Sequence, residues 1–92
     1  MAKKRAHIVI HGNVQGVFFR AYMRDRAESG KVNGWVKNCF DGTVEAVLEG
    51  EEQTVQQIVE WCHTGPSEAE VKKVDVTWEK PKGDVKNFAI VY

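Results

Sequence analysis

Residues 6–11 alternate, with Ala6, Ile8 and Ile10 on one face and His7, Val9 and His11 on the other, the period of a half-buried strand. Past residue 18 the period lengthens. Phe19, Tyr22, Met23 and Ala27 recur at helical spacing, which predicts a helix starting at Phe18 or Phe19 with Tyr22 and Met23 in the core. Arg24 and Glu28 stand one turn apart on its outer side as an i,i+4 pair, and Ser29-Gly30 closes it, with Gly30 expected as a left-handed cap. Residues 33–39 and 43–49 then read as a hairpin turning at Asp41-Gly42. Val36 opposes Trp35 and Lys37, while Val44, Ala46 and Leu48 alternate with Thr43, Glu45, Val47 and Glu49, so Glu45 and Glu49 are expected as solvated carboxylates on the outer face. Acids at Glu51 and Glu52 suit the start of a second helix, whose stripe is Val55, Ile58, Val59 and Cys62 and whose stop is Gly65-Pro66. Val74, Val76 and Trp78 alternate as a fourth strand, Pro81 to Gly83 interrupt it, and Phe88, Ile90 and Tyr92 alternate at the end.

The order βαββαβ with a short extra C-terminal strand predicts an α+β fold: a ferredoxin-like sandwich with an antiparallel sheet, both helices on one face, and the first and third strands in the middle. Residues 1–92 are expected to form a single domain. This architecture serves many activities, so function has to be argued from a site.

Composition narrows the classes. Thirteen basic and thirteen acidic residues cancel, which removes any general electrostatic case for nucleic acid or an anionic membrane. An RNA-binding sheet would want a basic face and several exposed aromatics, and Trp35 and Trp78 alone do not make one. No apolar run approaches the roughly 20 residues that span a bilayer. The basic start Met1-Ala2-Lys3-Lys4-Arg5 is followed by no long apolar segment, so a cytoplasmic protein is expected. Cys39 and Cys62 are too far apart for a CxxC motif and are expected to be structural. His7 and His11 share a strand face without a third ligand, so solvated or loop-packing histidines and no metal site are expected.

The candidate chemistry lies in Gly12-Asn13-Val14-Gln15-Gly16-Val17-Phe18-Phe19-Arg20, which joins the first strand to the first helix. Its glycines permit consecutive amides, those of Val14, Gln15, Gly16, Val17, Phe18 and Phe19, to converge on one anion, and the helix start adds unpaired N–H groups. Arg20 follows in the first helical turn with a fork of donors that suits phosphate. An ordinary strand-to-helix turn has the same look. Three residues lie between Gly12 and Gly16 and Val17 follows, unlike a Walker loop, and no G-x-G-x-x-G is present.

A second stretch, Gly34-Trp35-Val36-Lys37-Asn38 through Asp41-Gly42-Thr43-Val44 to Gly50, separates these readings. The first stretch resembles the acylphosphatase signature G-x-V-Q-G-V-x-[FM]-R at every fixed position, and the second resembles its partner G-[FYW]-[AV]-[KR]-N-x-x-[DE]-G-x-V at every fixed position, with a glycine following at Gly50. Gly65-Pro66, the Val71 to Trp78 segment and Phe88-Ala89-Ile90 also look like the family's landmarks, whereas Ser29-Gly30-Lys31-Val32 replaces a more apolar helix exit. The resemblance implies the same fold and hydrolysis of acyl phosphates to a carboxylate and inorganic phosphate. It implies that Arg20 binds the phosphoryl group and Asn38 positions the water, with no cofactor and no metal. The partners then expected are a small-molecule acyl phosphate and inorganic phosphate as product and competing ligand, without nucleic acid or membrane, for a monomer. Asp41 is expected to shape the turn, and Gln15 to brace neighbouring backbone. The alternative is a non-catalytic anion-sensing module, which would have no need of Asn38.

Overall fold

The computed structural model describes residues 2–92. The elements are β1 (Lys3–Asn13), α1 (Phe19–Ser29), β2 (Asn33–Asn38), β3 (Val44–Glu51), α2 (Glu52–Cys62), β4 (Glu70–Glu79) and β5 (Phe88–Ile90). The sheet order is β4-β1-β3-β2-β5, which puts β1 and β3 in the centre as the connection rules require. Four strands pair antiparallel; β5 adds to β2 in parallel, because the chain crosses the sheet end after β4 and enters beside β2 in the same direction. The fold is the ferredoxin-like α+β sandwich with an extra strand.

Alternation decides which face is covered. Ala6, Ile8 and Ile10 of β1, Val36 of β2 and Val44, Ala46 and Leu48 of β3 point toward the helices and are fully buried. Against them α1 brings Phe19, Met23 and Ala27, and α2 brings Val55, Ile58, Val59 and Cys62. The Phe19 and Trp61 rings meet at 5.1 Å between centroids, joining the two helices next to the loop that precedes α1. No helix among the described residues is long and apolar enough to cross a membrane.

Four local expectations change. Tyr22 is 48% exposed, since the α1 stripe is centred on Phe19, Met23 and Ala27 and leaves it at the margin. Arg24 approaches Asp25 at 3.9 Å instead of pairing with Glu28. Gly30 keeps a right-handed φ of −92° and Lys31 takes the left-handed turn at +57°. Glycine is needed at 30 for space, because a Cβ there would lie 2.5 Å from the Thr54 methyl of α2. Glu49 is buried on the outer face, where Arg5 bonds its carboxylate and the amides of Lys82 and Gly83 donate to it from the segment folded across that end of the sheet.

Candidate active site

The loop between β1 and α1 is fixed at both ends by core side chains: Val14 and Phe19 are each 1% exposed. Between them Gly16 and Phe18 adopt positive φ, 76° and 64°, so the chain curls instead of running straight into the helix. Phe18 is a non-glycine in the left-handed region, a conformation that costs of order 1 kcal/mol and belongs to sites where backbone direction matters. It caps α1 without a side-chain hydrogen bond, and the first helical bond runs from Tyr22 N to Phe18 O at 3.0 Å. The amides of the first turn therefore point out of the helix end unpaired. The first turn carries no acidic residue to neutralise them.

Arg20 extends from that first turn. Its guanidinium carbon lies 5.3 Å from the centre of the Tyr92 ring, and among the described residues it takes part in none of the ion pairs. Its donors are thus available to an anion while an aromatic face supports it.

Asn38 ends β2, paired in register with Val44 of β3. Its Oδ1 is buried and has no hydrogen-bond partner among the described residues, an arrangement that costs about 1–3 kcal/mol unless a ligand or water donates to it. The turn beyond is held by Asp41, whose Oδ1 accepts from Thr43 Oγ1 at 2.6 Å and Thr43 N at 3.0 Å. Those bonds hold the Asp41 carboxyl below its usual range, which suits a turn acceptor and not a base.

Loop, Arg20 and Asn38 meet at one place. A hollow of about 290 Å³ is lined by Val14, Gly16, Phe18, Phe19, Arg20 and Asn38 with Ile90 and Tyr92 of the C-terminal strand region. A wider one of about 670 Å³ opens beside it, sharing Arg20, Asn38 and Tyr92 and adding Gln15, Lys37, Cys39 and Phe40. Gln15 lines only the wider hollow, and Val17, packed against the core, lines neither. Arg20 and Asn38, more than fifteen positions apart in the chain, are therefore neighbours around one concavity with Val14, Gly16, Phe18 and Phe19. That set suits a tetrahedral anion with a water beside it. Tyr92 and Ile90 were not foreseen; alternation placed them on a strand, but nothing in the sequence tied that strand to Arg20. A separate groove of about 510 Å³ between the helices, lined by Asp25, Arg26, Thr54, Gln57 and Trp61 among others, shares no residue with the loop or with Asn38.

The histidines belong elsewhere. His7 Nε2 is 2.6 Å from Glu45 Oε2 and His11 Nε2 is 2.9 Å from Asp75 Oδ2, so both pair with carboxylates on the uncovered face instead of being merely solvated. Among the described residues no group of three His, Cys, Asp or Glu side chains is placed to hold a metal ion.

Comparisons with known proteins point to one family. The family model described as Acylphosphatase matches residues 6–90. The chain is 54% identical to an acylphosphatase of Chloroflexus aurantiacus over 96% of each chain, and 53% identical to one of Roseiflexus over 100% of this chain and 99% of the relative. The crystal structure of acylphosphatase from Bacillus subtilis superposes with a TM-score of 0.92 at 37% identity, covering 97% of this chain and 99% of that one.

Proposed function

The chain belongs to the acylphosphatase family and is a hydrolase of acyl phosphates, and from that premise we propose how its own residues carry the reaction. The phosphoryl group of a carboxylic-phosphoric mixed anhydride sits on the amides of Val14, Gln15, Gly16, Val17, Phe18 and Phe19, with the Arg20 guanidinium holding two of its oxygens. A water, accepted by Asn38 Oδ1, attacks phosphorus; the bond from phosphorus to the acyl oxygen breaks, and the carboxylate departs with the electron pair. The water's proton passes to a phosphate oxygen, so the products are a carboxylate and inorganic phosphate.

The chemistry asks little more. A carboxylate is a good leaving group, so the barrier is lowered by orientation and by donors aimed at the equatorial oxygens, without a strong general acid. The scheme uses no metal ion and no covalent enzyme intermediate. The same reading has residues 1–92 working as one domain, a monomer in the cytoplasm, with inorganic phosphate as product and competing ligand.

The observation that carries the proposal is the buried, unpartnered Asn38 Oδ1 beside the hollow that Arg20 and the loop line. Its test is hydrolysis of benzoyl phosphate with a chelator present, for wild type and Arg20→Ala. Each charge-assisted hydrogen bond lost removes about 1.5–3 kcal/mol, so the variant should lose both turnover and inhibition by inorganic phosphate. Full turnover by a folded Arg20→Ala would refute the role given to Arg20.

A further inference from the structure

Gln15 lies inside the anion loop, yet its carboxamide reaches out of it. Nε2 donates to Cys39 O at 2.8 Å and to Thr43 O at 2.9 Å, so both protons of one NH₂ group are engaged by the β2–β3 hairpin. Cys39 follows Asn38, and Thr43 precedes Val44, the register partner of Asn38.

The hairpin does not need these bonds to close. Cys39 N already donates to Thr43 O at 2.9 Å, and Gly42 N to Cys39 O at 3.1 Å. Each carbonyl has its own donor without Gln15. What the carboxamide adds is a tie between two segments that are 24 and 28 residues apart in sequence, one carrying the loop amides and the other carrying Asn38. Gln15 also lines the wider hollow beside Asn38.

We propose that Gln15 is a positioning residue for the hydrolysis: its side chain fixes the Asn38 carboxamide, and with it the attacking water, relative to the phosphoryl group on the loop. The proposal rests on the role given to Asn38 above. A displacement of the nucleophile by about 1 Å can cost on the order of a hundredfold in rate, whereas phosphate binding by the loop amides and Arg20 needs no fixed distance to β2.

The test is a double-mutant cycle on benzoyl phosphate turnover with Gln15→Leu, Asn38→Ala and the pair, alongside the inhibition constant for inorganic phosphate and a thermal melt of each protein. Gln15→Leu is expected to lower kcat by about tenfold or more while leaving phosphate inhibition unchanged. In the Asn38→Ala background it should lower kcat by less than about twofold, the signature of two residues acting through one step. Gln15→Met, which keeps the length and removes the donor, should repeat the result if the Leu variant fails to fold. Equal losses in both backgrounds, or weakened phosphate inhibition by Gln15→Leu, would overturn the tie while leaving the role of Asn38 standing. Full turnover by Asn38→Ala would remove the water-positioning role itself and this proposal with it.

Discussion

Arg5 Nη1 donates to Glu49 Oε1 at 3.0 Å across neighbouring central strands, with the two side chains only 7% and 10% exposed. Asp84 and Glu79 add further acceptors to Arg5 from the segment after β4 and from β4 itself. The cluster therefore clamps an otherwise irregular segment onto the outer face of the sheet. Removing Arg5 leaves the Glu49 carboxylate to the Lys82 and Gly83 amides alone, and a lost charge-assisted bond costs about 1.5–3 kcal/mol. Arg5→Met should lower stability in urea by about that amount. Glu49 lies further along β3 than Val44, the partner of Asn38, by about 17 Å at a strand's rise per residue, so kcat of the folded fraction should be unchanged. A loss under about 1 kcal/mol would show that the pair behaves as a surface salt bridge.

The same cluster sets the response to acid. Burial alone would raise the Glu49 carboxyl, but bonds from the Lys82 amide, Arg5 and the Gly83 amide outweigh it and hold the group below its ordinary 4.5. Glu45 is held down chiefly by its hydrogen bond from His7, and Asp75 and Asp84 by bonds from His11 and Arg5. A folded-state value below the unfolded one means that the unfolded chain binds more protons, so stability is full above the unfolded values of 4.5 and 3.8 and is lost as pH falls through the lower folded ones. The urea midpoint should decline as pH falls below 4.5 and these carboxylates take up protons. Glu49→Gln, which cannot titrate, should make that decline shallower; an unchanged slope would remove Glu49 from the account.

The two cysteines should separate by reactivity. Cys62 is fully buried in the α2 stripe, and burial pushes its thiol up to about 12, against a smaller opposite effect of Arg26. Cys39 is half-buried at the wider hollow. A disulfide reagent such as dithionitrobenzoate should therefore titrate one thiol in the native protein and the second only on unfolding. Rapid reaction of both thiols in the native state would contradict the burial of Cys62.

Period-based inference worked where one face of an element decides burial. Val55, Ile58, Val59 and Cys62 on α2, and Ala6, Ile8 and Ile10 on β1, are buried because their faces have a single neighbour, the core. It failed where a distant segment covers a face: alternation put Glu49 outside correctly, but only the fold brings residues 82–84 over it. The same limit hid Tyr92, which reaches Arg20 because β5 joins β2 in parallel. Glycine spacing and a first-turn arginine marked the loop only as a candidate, because an ordinary turn looks the same, and the resemblance of both stretches to one family separated the readings. The reach of Gln15 to Cys39 and Thr43 was not legible, since a side-chain amide carries no mark of which backbone it meets.

Two glycines of the loop region should respond differently to a methyl group. Gly12 sits at the irregularity in β1–β4 pairing with φ +129°, and a Cβ there would lie 2.1 Å from Glu70 O. Gly12→Ala must move backbone in β1 or β4 and should cost more than about 3 kcal/mol. At Gly16, φ is +76° but no atom lies within 4 Å of the added carbon, so Gly16→Ala bears only the left-handed penalty of about 1–2 kcal/mol and should fold. Gly16 nevertheless lines the hollow with Arg20 and Asn38, and backbone that shifts to relieve the left-handed strain would move its amide. Displacing one amide from the anion there should weaken inhibition by inorganic phosphate about tenfold or more. Melting curves and inhibition constants for the two variants separate scaffold from site: Gly16→Ala that folds and binds phosphate like wild type would mean that the anion does not rest on this part of the loop.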